Sequence, residues 1–336
     1  MPDLCEVRVK VNSGGLSTNI NTILNGYFLR EIDGLGYEVR RLSQRGPFQK
    51  GDTDLGFAHD ARLLTLVWDL QQGSPADLWT LRAELMGVFR PRTGDPAQLI
   101  FTFPNGDRRA CDMNLDGTFN YSPSDRRDAR TQSIAAVLKS DNDPRLYDPI
   151  RKQVEFNLLD FISGWEIEET GETTADGWNI EETGQTTGDG WNIGVSTINK
   201  IGTISYGNGY VYADVEYPVI RIFGPITSPK VENLTTGEVL DFSANGGLSL
   251  SLGQWVEIDL RYRSGKTAVD QDGNSVDQYL TTDSDLATWH LSYNTELLDA
   301  ALGTRSTGDN QIRVTGGGAN LSTRVQVLYY DRYLGA

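Results

Sequence analysis

Cysteine and histidine are nearly missing from this sequence of 336 residues, which holds two of each. Cys5 and Cys111 stand too far apart for a disulfide framework or a zinc-ligand spacing, so both are expected to be idle thiols. His59 and His290 fall in no HExxH, nucleophile-elbow or triad-like pattern, which leaves hydrolytic chemistry without its usual base. No apolar run approaches the length of a membrane span, and Met1-Pro2-Asp3 does not open a signal peptide, so synthesis in a cytoplasm without membrane insertion is expected. Basic residues are also in deficit: 30 Lys and Arg against 46 Asp and Glu give a formal charge of −16. That balance disfavours non-specific binding to nucleic acid or anionic lipid, and no sequence-specific nucleic-acid binding is expected. No cofactor is expected either.

Turn formers and aromatics are plentiful. With 36 Gly, 12 Pro, 10% aromatic residues and few long helical patterns, the chain reads as mainly β. Its length exceeds what one core usually serves, which predicts two domains. The expected divisions are a β-rich domain with one helix over 1–150, a joint over 151–200 and a β-sandwich over 201–336.

In the first domain, Cys5–Val11 alternates apolar and charged residues, the signature of a strand with one buried face. Tyr37–Leu42 predicts another strand. Arg45–Gly56 carries too many Gly, Pro and charged residues for a sheet interior and predicts a long exposed arm. Arg45, Lys50, Asp52 and Asp54 are therefore the candidate residues for reaching a neighbouring subunit. Leu63–Leu70 is apolar enough to predict cover on both faces. The one convincing helix follows, with Ser74 as N-cap, Pro75 at the first position and Asp77 at the positive end. Leu78, Leu81, Leu85, Val88 and Phe89 share one face, and Pro91 stops it. Asn105-Gly106 predicts a two-residue hairpin turn of the primed type. Gln132–Lys139 is a strand, and Asp143–Pro149, with two prolines, marks a boundary.

The joint holds an internal repeat. Trp165, Trp178 and Trp191 recur at a spacing of thirteen, each opening a short strand-like unit before a Gly/Thr/Asp turn region. These tryptophans are candidates for stacking on a sugar or a partner; a duplicated hairpin whose rings fill a seam is the simpler alternative. Beyond them, Val219–Gly224 predicts a strand confined by Pro218 and Pro225, with pairing resumed near Lys230 after Pro229. Val231–Leu234 and Val239–Phe242 flank Thr235–Glu238 as a hairpin. Trp255–Tyr262, Gln311–Thr315 and Arg324–Tyr330 alternate cleanly, so short strands separated by Gly and Asp turns predict a sandwich.

Asp112, Asn114 and Asp116 match the first, third and fifth positions of a calcium loop, but Pro123 occupies the twelfth, where a bidentate Glu is needed. A plain turn accounts for them better, and no metal is expected. Paired carboxylates for glycan cleavage cannot be singled out among 46 acids.

Taken together, Gly46–Gly56, Asp143-Pro144 with Tyr147-Asp148-Pro149, Pro218–Thr227, Val231-Glu232-Asn233, Thr236-Gly237, Trp255–Leu260, Lys266–Val269, Gly308-Asp309-Asn310 and Tyr330–Gly335 resemble, in order and spacing, the distal tail proteins of long, non-contractile-tailed bacteriophages. The resemblance implies a structural virion protein, not an enzyme. Its first domain would form a homo-oligomeric ring, usually a hexamer, and its second would be a galectin-like or carbohydrate-module-like sandwich facing outward. The implied place is the distal end of the tail, joining the tail tube to tail-tip and receptor-binding proteins and letting DNA pass through the lumen. A host carbohydrate- or receptor-binding module and a glycan-cleaving tail enzyme are the alternative functions.

Overall fold

The computed structural model describes residues 8–13, 16–21, 25–36, 39–44, 53–90, 96–121, 130–140, 143–158, 197–206, 215–261, 265–293 and 309–333. The first unit is built from β1 (Arg8–Ser13), β2 (Leu16–Asn19), β3 (Tyr27–Asp33), β4 (Val39–Gln44), β5 (Thr53–His59), β6 (Leu63–Gln71), α1 (Pro75–Val88), β7 (Ala97–Thr102), β8 (Arg108–Leu115), β9 (Asn120–Tyr121), β10 (Thr131–Lys139) and β11 (Leu146–Tyr147). Its main sheet runs β2-β1-β7-β8-β10-β6-β3, while β4 and β5 form a separate hairpin. Alternation along each strand decides which side is buried: Val9, Val11, Leu66, Trp68, Leu99, Phe101, Ile134 and Ala136 all point into one core.

Helix α1 closes that core as its sequence dictates. Ser74 caps it, its hydroxyl accepting from the Asp77 amide at 3.2 Å, and Leu78, Leu81, Leu85 and Val88 are buried. Each such side chain stabilises the fold by roughly 1.5–3 kcal/mol through lost water contact. Phe89 follows immediately, its ring 5.8 Å from that of Trp68.

Four expectations need correction. Strand β6 is covered on one face only: Leu64, Leu66, Trp68 and Leu70 are buried, whereas Leu63 is half exposed and Thr65, Val67 and Asp69 are intermediate. The Asn105-Gly106 turn is not of the two-residue primed type. The Gly106 amide bonds the Phe103 carbonyl and Gly106 alone has a positive φ (87°), a three-residue loop in which Pro104 supplies the fixed φ of the first turn position. Of the Arg45–Gly56 arm, Thr53–Gly56 lies in β5 and pairs with β4, because Thr and Leu suit a ladder and the local turn signals end before them. Finally, the strand restarts earlier than Lys230: it runs Ile226–Asn233 with Pro229 inside it, at a bulge where pairing lapses after Thr227 and resumes at Lys230, so the missing amide costs no ladder bond.

The second unit comprises β12 (Lys152–Asn157), β13 (Thr197–Ser205), β14 (Val215–Glu216), β15 (Val219–Phe223), β16 (Ile226–Asn233), β17 (Glu238–Asp241), β18 (Ser249–Leu250), β19 (Trp255–Asp259), β20 (Thr267–Asp270), β21 (Leu291–Ser292), β22 (Asp309–Gly317) and β23 (Arg324–Tyr329). One sheet runs β12-β23-β15-β19-β20 and the other β13-β22-β16-β17, with β18 on β16. Ile220, Ile222, Val256 and Val325 from the first meet Val231, Leu240, Ile312 and Val314 from the second in a single core, the packing of a β-sandwich. Strand β12 lies in the 151–200 stretch read as a joint, yet its Phe156 joins the sandwich core. Residues 159–196, including Trp165, Trp178 and Trp191, lie outside the described residues.

The last strand, β24 (Arg332–Tyr333), leaves the sandwich. It pairs with β11 of the first unit, and Tyr333 is buried in the first core. Because β12 and β23 also pair, and the Asp148 amide bonds the Asp331 carbonyl at 2.9 Å between them, one antiparallel ribbon runs through both units.

Candidate functional site

Where the ribbon passes from one core to the other, four charged side chains are buried together. Asp143 and Arg145 come from the segment before β11, Glu216 from β14 and Arg332 from β24. Arg145 grips Asp143 with Nε and Nη2, each at 2.8 Å, and its Nη1 donates to the Val215 carbonyl. Arg332 donates from Nε to Glu216 at 2.7 Å and its Nη1 lies 3.5 Å from Asp143. The side chains of Arg332 and Glu216 are only 9% and 1% exposed, so their desolvation is nearly complete. Two cations and two anions leave no net buried charge, the condition under which such ions are tolerated.

The pKa shifts follow from that geometry. Burial alone would raise the Asp143 carboxyl, but Arg332 and Arg145 outweigh it and hold the group well below the carboxylate range. At Glu216 burial wins, and its carboxyl is raised despite the same two arginines. Arg332 and Arg145 are raised by their acids, although burial works against both. Nothing in this set offers a nucleophile, and each arginine is committed to a carboxylate. Chemically it is a lock on the relative placement of two units.

A polar chain leads from the lock across the sheet. Asn12 donates to Gln98 at 3.0 Å, Gln98 to the Tyr147 hydroxyl at 2.7 Å, and Tyr147 to Asp112 at 2.7 Å. Asp112 is thus engaged within β8, opposite Gln98, and burial raises its carboxyl. Asn114, also in β8, is paired with Lys139 of β10, and Asp116 lies past the end of β8. The three stand along an extended segment, not around the turn of a calcium loop, and among the described residues no group of His, Cys, Asp and Glu is placed to hold a metal.

Of the residues expected to reach a neighbour, Arg45, Lys50 and Asp52 lie outside the described residues, and Asp54 is paired through its backbone with Ser43 in the β4–β5 hairpin. His290 Nδ1 lies 2.9 Å from Glu238, a contact at the rim of the sandwich. The lock itself was not anticipated. Its signal was present, since Asp143 and Arg332 both belong to stretches that carry the family resemblance.

One cleft, of about 220 Å³, opens at the Leu63 end of β6. Asp33 and Asp60 stand at it, with Gly34, Gly36, Leu63 and Pro144. Arg62 lines it too, but donates to the carbonyls of Pro144 (2.6 Å), Gly34 (3.1 Å), Leu35 (3.0 Å) and Gly36 (2.6 Å) and so serves to hold the loops together.

No family model matches the sequence, and no curated protein matches it. Among solved structures, the chain is similar to SPP1 Dit (gp 19.1), a paradigm of the hub adsorption apparatus in phages infecting Gram-positive bacteria, with a TM-score of 0.56 and 10% identity over 97% of this chain and 99% of that one. The phage P2 baseplate in its activated conformation with Ca aligns at 10% identity and a TM-score of 0.47, over 98% of this chain and 99% of that one. The described residues share the fold of Dit.

Proposed function

We propose that this protein is a structural component of a phage tail: a distal tail ring that joins the tail tube to tail-tip and receptor-binding proteins. The observation that carries the proposal is the end-to-end likeness to Dit, which spans both units and not the sandwich alone. A sandwich by itself serves many functions and would support none in particular. The buried lock adds a physical reason. An adaptor transmits position from one partner to another, and Asp143, Arg145, Glu216 and Arg332 fix the sandwich on the first unit.

On this proposal the first unit closes into a homo-oligomeric ring, a hexamer as in the family the sequence resembles, and the virion's DNA leaves through its lumen. The −16 charge suits that task, because an acidic wall does not trap phosphates by counterion release. Electron microscopy of the purified protein, with its mass from light scattering, tests the assignment. Closed rings with a central hole are expected. A protein that stays monomeric at high concentration would count against it.

A further inference from the structure

Helix α1 presents an unusual outer face. The Arg82 guanidinium lies 3.6 Å over the Tyr121 ring and 4.7 Å from the Trp79 ring, and the Tyr121 hydroxyl donates to Met86 Sδ at 3.0 Å. Trp79 is nonetheless 65% exposed and Met86 39%. Trp, Tyr, Arg and Met are the residues enriched in the centres of protein interfaces, where a few of them carry most of the binding energy. Held between two rings, the guanidinium has already lost much of its rotamer freedom, so its fork is preorganised to receive a carboxylate.

The matching surface is on the same molecule, out of its own reach. The cleft at the start of β6 carries Asp33 and Asp60 on its rim and Leu63, half exposed, at its mouth. Asp60 meets Arg40 at 3.6 Å, with both side chains largely exposed, a surface pair of little strength that another cation can displace. Tyr121, under Arg82, pairs with Ile134 opposite Trp68, five strand steps or roughly 17 Å along the sheet from Leu63. A cationic aromatic patch on α1 and an acidic apolar cleft at the start of β6 are two different, complementary surfaces. Identical subunits bearing such a pair associate head to tail and close into a ring where the rotation allows.

Resting on the ring assignment above, we infer that Trp79 and Arg82 of one copy seat on the Asp33/Asp60/Leu63 cleft of the next. Trp79 covers Leu63, and Arg82 meets the two carboxylates. The contact excludes the exposed indole from water and uses no residue of the buried lock.

The test compares full-length wild type, Trp79→Ala, Arg82→Glu, the pair Asp33→Lys with Asp60→Lys, and a chain with all three charge changes. Sedimentation reads their assembly, and circular dichroism confirms that each is folded. Trp79→Ala and Arg82→Glu are each expected to weaken assembly by about 30-fold or more, as loss of an interface hot spot does. The acid reversal alone is expected to do the same, and the chain with all three reversals to regain assembly. Wild-type rings with Trp79→Ala and Arg82→Glu assembling equally well would overturn this contact and leave the ring standing. Failure of the triple reversal to recover would overturn it too. A monomeric wild type would remove the ring itself and this contact with it.

Discussion

Arg332 of the last strand donates from Nε to Oε2 of Glu216 at 2.7 Å, in a setting where neither side chain meets water appreciably. Removing one partner of such a pair strands the other as an uncompensated buried charge. Arg332→Ala is expected to cost about 3–5 kcal/mol. Arg332→Met combined with Glu216→Gln should cost much less, since no ion is left alone. Chemical denaturation of the three proteins checks the order; a single and a double variant of equal stability would refute the coupling.

Gly34 is a second point of fine tolerance. Its φ is +95°, and an added Cβ would stand 1.9 Å from the Leu63 carbonyl oxygen. Both the backbone strain and the clash oppose a side chain, so Gly34→Ala should destabilise by about 2 kcal/mol or more. At Gly36 a Cβ would meet nothing within 4 Å, and Gly36→Ala should be close to neutral. Melting temperatures of the two variants decide it.

His290 makes the sandwich rim sensitive to pH. Burial would lower its imidazole, but hydrogen bonds to Glu238 and the Thr288 carbonyl, with the Glu238 charge, hold it above 6.5, against the opposing charge of Lys266. The folded state therefore binds this proton more tightly than the unfolded chain. Its contribution is complete below about pH 6.5 and is lost as pH rises through the folded value. In the wild type, the melting temperature should fall as pH rises above about 6.5, and His290→Gln should reduce that fall. An identical pH profile in the variant would exclude His290 as the cause.

Calcium is not expected to matter to the first unit. A cation that bound only the folded state would raise stability with the logarithm of its concentration. Asp112 instead accepts from Tyr147, and its strand is fully paired with β7 there. A chelator should leave the melting temperature where it was, and a marked drop would reverse this reading.

What could be read from the sequence was what is decided locally. Ser74, Pro75, Asp77 and the spacing of four apolar residues determine α1 within a few turns, and the structure reproduces it. The β16–β17 hairpin was equally legible, since its turn residues adjoin its strands. Pro229 marked a real lapse in pairing, resumed at Lys230, but not the strand's start at Ile226, because a bulge lets the chain stay extended where the missing amide faces no partner. The lock was hidden for a different reason. Asp143 and Arg332 are almost two hundred positions apart, and among 46 acids and 30 bases no spacing selects that pair. Trp79 and Arg82 lie off the Leu78-Leu81-Leu85-Val88 face, and only the arrival of Tyr121 from a neighbouring strand turns them into a stack.

The return of β24 to β11 has a mechanical consequence. The sandwich is moored by two chain crossings that run side by side, joined by the Asp148–Asp331 backbone bond and by Lys152 Nζ on Asp331 Oδ2 at 2.6 Å. A single crossing would be a swivel, free to spend an applied torque on backbone rotation. Two crossings braced to each other resist twist, so load placed on the sandwich passes along the ribbon into the sheet that holds Tyr333, and the two units turn together as one lever.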